Sequence, residues 1–274
     1  MPRSWREHPS RVGSPAGELA AIRAAGYLSI GQVFGSCVFR KLPGIWAYCG
    51  FHRARTAADG YRYSPGVDAP RVVGAAASAR RVAMQRLLTA CADVGGTGVV
   101  DVRYTETPRG PEDLGLVEAL VSGVAVRDER RQPVGADRLF SCGTGAAEFA
   151  ALALGGWRPI SVVFTAAALL RHDDNQTVDQ QQWRGPNVEI EGCSVLDAGI
   201  RARVRSSFER QVRETGGDGL LLHDLAVTFG RRGCAGMGND HHAEAYARGT
   251  VIKQVSRRSA STPVSVLPLN RVVR

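Results

Sequence analysis

The sequence predicts an α+β protein built from two tandem β-α-β-β modules, each a small, mostly antiparallel sheet covered by one long helix. Three blocks, recurring in the same order, carry that expectation. "ELAAIRAAGYLSIGQVFGSCVF" (18–39) returns as "EFAALALGGWRPISVVFTAAAL" (148–169). Residues 79–102 return as 200–223, and "EALVSGVAV" (118–126) returns as "EAYARGTVI" (244–252). The copies slip only in the intervening loops, where insertions cost little.

The elements follow in chain order. "ELAAIRAAG" is a short helix stopped by glycine, and "LSIGQVFGSCVF" is a strand rich in Val, Ile and Phe. A long helix comes next. Ala79, Ala83, Leu87 and Cys91 recur every four residues, as do Ile200, Val204, Phe208 and Val212 in the second copy. That spacing draws one apolar stripe, with Arg80, Arg86, Arg201 and Arg210 placed off it on a solvated face. The phrases "GGTGVVDVRYT" (95–105) and "GGDGLLLHDLAVT" (216–228) then end each helix on glycine and start a strand. Gly123 and Gly249 interrupt the last strand of each copy at matching places, the mark of a bulge or a close backbone approach.

The remaining segments bound the modules. Residues 1–17 read as a disordered N-terminus, 18–126 as the first module and 127–147 as a polar Pro/Gly linker. Residues 148–255 are the second module, and 256–274 a Ser/Pro/Arg-rich flexible tail. Insertions at 40–76 and 171–195 separate the first strand from the long helix in each copy. The net charge is +9, but Lys41 and Lys253 are the only lysines, and the arginines are scattered rather than massed. Residues 1–17 lack the apolar core of a secretory leader and no apolar run reaches membrane length, so neither a leader nor a membrane span is expected. The cysteines at 37, 49, 91, 142, 193 and 234 form no C-x2-C pair. Cytoplasmic placement with free thiols is the expectation.

A strand ending in "GSCVF", a long helix, "GGTGVVDVRY" and then "EALVSGVAV" resembles the YbjQ-like family, named for heavy-metal binding. The late strand is "GVAV" in the first copy and "GTVI" in the second. The resemblance covers about residues 18–126 and 148–255. It departs from the family pattern in having Gly where the family has Ala, and in the long insertion at 40–76. It implies a dodecin-like β-α-β-β fold and a tendency to form rings, with no ligand set to transfer. The expected partner is the chain itself, as a homo-oligomer: five chains forming two stacked rings, or an even pseudo-ring.

Candidate chemistry is sparse. "GCAGMGNDHHAE" offers Cys234, Asp240, His241, His242 and Glu244, a mixed ligand set for a divalent transition metal, in the loop before the last strand. Adjacent His241 and His242 point to opposite sides of an extended backbone, so at most one serves a single site. "CGFH" offers a weaker pair, Cys49 and His52. His172-Asp173-Asp174 reads as a solvated turn. "SCGTG" (141–145) has the look of a nucleophile phrase, but its place in the linker argues against strand–turn–helix context. Glu118 and Glu244 recur at matching positions, a pattern that favours a structural role. No phosphate-binding loop is present. The arginine-bearing helix faces lack interleaved aromatics, which argues against a nucleic-acid surface.

The sequence therefore favours a non-enzymatic oligomeric protein that binds a metal ion or small ligand, or acts as an assembly scaffold. Two alternatives remain: an enzyme with a site between subunits using the His241/His242 loop, and a weak arginine-mediated nucleic-acid binder.

Overall fold

A computed structural model describes residues 15–40, 67–68, 70–110, 115–130, 135–233 and 239–255. The fold is mixed α+β. In chain order the elements are α1 (Pro15–Ala24), β1 (Tyr27–Arg40), β2 (Val67–Asp68), α2 (Pro70–Asp93), β3 (Gly98–Arg109) and β4 (Leu116–Asp128). There follow β5 (Phe140–Ser141), α3 (Ala146–Leu154), β6 (Trp157–His172), α4 (Asn175–Gln182), α5 (Glu191–Thr215), β7 (Gly219–Gly233) and β8 (Asn239–Gln254). One sheet runs β1-β4-β3-β5 and the other β2-β6-β8-β7. In both, the long first strand pairs antiparallel with the last, and the last with the strand that follows the helix.

The helical stripe is where the four-residue spacing puts it. Ala83, Leu87 and Cys91 are fully buried and Ala79 nearly so, against Val99, Val102, Ala119 and Val121 of the first sheet. Leu196, Ile200, Val204 and Phe208 do the same on Ala243, Ala245, Ala247 and Val251. The two long helices also end alike. Gly95 and Gly216 take φ of 74° and 66°. The amides of Gly95 and Gly96 donate to Ala92 and Cys91, and those of Gly216 and Gly217 donate to Arg213 and Val212. Only glycine enters this left-handed turn without strain, and the chain leaves it straight into a strand.

The ladder is irregular at matched places. Register shifts fall between Ser29 and Gly31 and between Pro159 and Ser161. Others fall between Val100 and Arg103 and between Leu222 and Asp224. The last two face Gly123 and Gly249. A Cβ on Gly123 would sit 2.5 Å from the Val99 side chain, and one on Gly249 would sit 2.9 Å from the Leu221 carbonyl. The glycines are needed for close approach, and the bulge itself lies on the neighbouring strand.

Several segments differ from the sequence expectation. The range 127–147 is not bare linker. It holds β5, which pairs parallel to β3 through Phe140 and Ser141. The helix expected from residue 79 already runs from Pro70, and the 171–195 insertion contains α4. The short helices α1 and α3 close a third core, where Ile22, Val100, Val126, Cys142, Ala146 and Phe149 are buried together. Tyr27 meets the edge of Phe149 at 5.1 Å, and Phe140 stacks on Phe149 at 5.8 Å. This core joins the start of β1 to the segment leading into the second sheet. No helix among the described residues is long and apolar enough to cross a membrane.

Candidate functional site

The polar residues gather at two places. The first is the end of the second sheet, where β6 stops and β8 begins. Antiparallel register sets His172 opposite Asp240, Arg171 opposite His241 and Leu170 opposite His242. Alternation then sends His241 to the side with Arg171, and Asp240 and His242 to the other. His172 Nδ1 lies 2.9 Å from Asp240 Oδ1, and His241 Nε2 lies 2.7 Å from Asp173 Oδ1. Asp173 also accepts from the Gln181 and Asn239 amides, each at 3.3 Å. Its side chain is 1% exposed. Asp174 caps α4 by accepting from the Thr177 amide at 2.8 Å. Burial opposes the Asp174 carboxylate, but hydrogen bonds from Thr177 and the Arg171 guanidinium together hold its pKa below the usual value. Buried Arg171 bridges Thr177 and Asp174.

This cluster corrects the solvated-turn reading of His172-Asp173-Asp174. Asp173 and Asp240 are buried because β8 returns beside β6 from 68 residues away, a contact with no local signal. His241 and His242 do diverge. The His242 ring lies across Gly230, where a Cβ would meet Nε2 at 2.2 Å. Burial lowers the His242 pKa, against the opposing pull of the Glu244 carboxylate. Among the described residues no group of three His, Cys, Asp or Glu side chains converges on a point. Cys234, Cys49 and His52 lie outside the described residues. The cluster ties α4 to the sheet end through the Arg171–Thr177 and Gln181–Asp173 hydrogen bonds, while two imidazole–carboxylate pairs each fix an imidazole ring at the ends of β6 and β8.

The second place lies between the sheets. Arg80 of α2 is 4% exposed, which corrects its placement on a solvated face. Its guanidinium stands 4.8 Å from the Tyr104 ring and 4.6 Å from the Tyr246 ring, and donates to Glu106 at 2.9 Å. Burial raises the phenol pKa of both tyrosines, and the Glu106 and Glu244 carboxylates add to it. Phe164 of β6 packs on Tyr104 at 5.5 Å. Nearby, Ser141 Oγ accepts the Val162 amide at 2.7 Å, and Thr250 Oγ1 accepts the Gly143 amide at 2.9 Å. His223 Nε2 lies 2.7 Å from the same Thr250 hydroxyl. Burial, reinforced by the Arg248 charge, lowers the His223 pKa to about 4. Arg248 donates to the Val102 carbonyl and to Asp224.

The phrase "SCGTG" therefore does run from a strand, β5, through a turn into a helix, α3, contrary to the sequence expectation. Cys142 is nonetheless fully buried, bonded to Thr144, and burial raises its thiol pKa. Burial pushes Cys91 up to about 11. Both are core thiols held in their protonated form rather than poised nucleophiles.

Aligning the registers reveals a signal that sequence reading passed over. Thr250 occupies the place of Val124, and His223 that of Val102. Both of these polar side chains lie where the second half meets the 141–145 turn. Finally, several large apolar side chains among the described residues are exposed: Phe34 is 53% exposed, Val38 60%, Leu222 52% and Phe229 53%. No family model matches the chain, and no curated protein matches it.

Proposed function

We propose that the chain is two head-to-tail copies of one β-α-β-β module, dodecin-like and resembling YbjQ-like domains, and that it works as a non-enzymatic homo-oligomeric scaffold. Supporting the duplication are the shared strand order, the matched glycine helix ends and the matched bulges. The observation that carries the functional reading is the pair of uncovered apolar surfaces at opposite ends of the chain. One is the β1 face with Phe34 and Val38. The other is the β7 edge with Leu222, Leu225 and Phe229. Apolar groups gathered this way are usual at surfaces that meet a partner. Unpaired Cys37, Cys91, Cys142 and Cys193 support a cytoplasmic setting.

Light scattering coupled to size-exclusion chromatography tests this. A mass several times the chain's 29.3 kDa supports the scaffold, and a mass of 29.3 kDa at every concentration overturns it. A second reading, binding of a divalent transition metal, draws on the His172–Asp240 and Asp173–His241 pairs. Elemental analysis that finds stoichiometric metal lost in His241→Ala would favour it.

A further inference from the structure

The two halves can be matched residue by residue through their ladders. Phe34 faces Ser122 as Phe164 faces Arg248, and Tyr104 faces Val121 as Leu225 faces Ala247. Phe34 and Phe164 are therefore counterparts, and so are Tyr104 and Leu225. Within the chain, the second half lays the outer face of β6 against the first half. Phe164 meets Tyr104, and Val162 is buried at 6% in the core built on α2. Ala168, on the same face, is 4% exposed. The counterparts at the two free ends are bare. Phe34 is 53% exposed, Val38 (the counterpart of Ala168) is 60% exposed, and Leu225 is 37% exposed.

We infer that a second copy docks head to tail, its β1 face carrying Phe34 and Val38 seated on the Leu225 and Phe229 side of β7 and α5. This rests on reading the halves as copies of one module. The occupant follows from continuity. The contact that β6 makes with β3 and α2 inside one chain recurs between chains, with β1 in place of β6 and β7 and α5 in place of β3 and α2. Arg201, the counterpart of Arg80 in the helix match, is half exposed and is held by Asp197 of its own helix. Ser194 and Asp197 stand where α2 has Val73 and Ala76, so this contact is more polar than the internal one. That suits an interface whose two sides must each stay soluble before they meet. The contact joins unlike surfaces, so every docked copy leaves one surface of each kind free. Growth ends only when a ring closes, and that ring holds an even number of modules.

Complementation tests it. Phe34→Asp spoils the β1 face and spares β7, whereas Leu225→Asp does the reverse. Each variant alone is expected to run at 29.3 kDa with a cooperative thermal transition. An equimolar mixture is expected to yield a dimer containing one of each, with nothing larger. A photo-crosslinking phenylalanine analogue at position 34 of otherwise unaltered protein provides a second measurement. It should capture β7 peptides of an isotopically labelled neighbour. Assembly that survives both variants, a mixture that stays monomeric, or cross-links that map elsewhere would overturn this docking while leaving the scaffold reading standing. An unaltered chain that is itself monomeric removes both.

Discussion

Arg80 gives the most demanding prediction, because the sequence alone would make it a harmless surface residue. Its side chain is 5% exposed and its partner Glu106 is 16% exposed. Removing one member of such a pair leaves a buried charge unmatched, which costs about 3–5 kcal/mol. The Tyr104 hydroxyl still donates to Glu106, which offsets part of that loss. Two cation–π contacts are lost as well, at about 0.5–1 kcal/mol each. Arg80→Met keeps the aliphatic stem and loses the guanidinium, and the expected net cost is about 3 kcal/mol. Urea titration followed by circular dichroism measures it. Arg80→Met combined with Glu106→Gln should be less destabilised than the sum of the two, with a coupling of roughly 1–3 kcal/mol. A cost below about 1 kcal/mol, or additivity within about 0.5 kcal/mol, would refute the view that Arg80 locks the two sheets together.

Other expectations follow from the same contacts. Leu87→Ala empties a fully buried site on the first sheet and should cost about 2–5 kcal/mol in the same titration. Gly216→Ala meets no neighbouring atom within 4 Å, so its cost is backbone strain alone, about 1 kcal/mol. His223, held neutral by burial, resists protonation in the folded state. As pH falls from about 6.5 to about 4, the unfolded chain binds a proton that the native one does not, so stability declines through that window. Melting curves of His223→Gln should show a shallower acid-side decline than the unaltered protein, and identical slopes would show that His223 does not contribute. Asp173→Ala leaves His241 and the Gln181 and Asn239 amides without their acceptor. Hydrogen exchange should rise in α4 and leave α5 protected.

What could be read from the sequence was whatever repeats locally. The four-residue spacing through Ala83, Leu87 and Cys91 identified the buried stripe, because helix geometry turns spacing into a face. "GG" at 95 and 216 marked both helix ends, because few residues other than glycine accept the required φ. What could not be read depended on distant packing. Arg80 is buried because β3 and β8, from different halves, converge on α2. Asp240 meets His172 only through strand register. Two-residue β5 is too short to show a period, so the 141–145 turn looked like linker. Of the proposed ligands, Asp240, His241 and His242 proved to be divided between two faces of one strand.

The central claim is that a lone chain is incomplete and that copies of it finish one another. Native mass spectrometry of the intact protein, sprayed from micromolar solution, counts the chains directly. The account predicts one closed species at a whole-number multiple of 29.3 kDa, stable to dilution. A spectrum holding only the single chain, with Phe34 and Leu225 unprotected from solvent labelling, would contradict it.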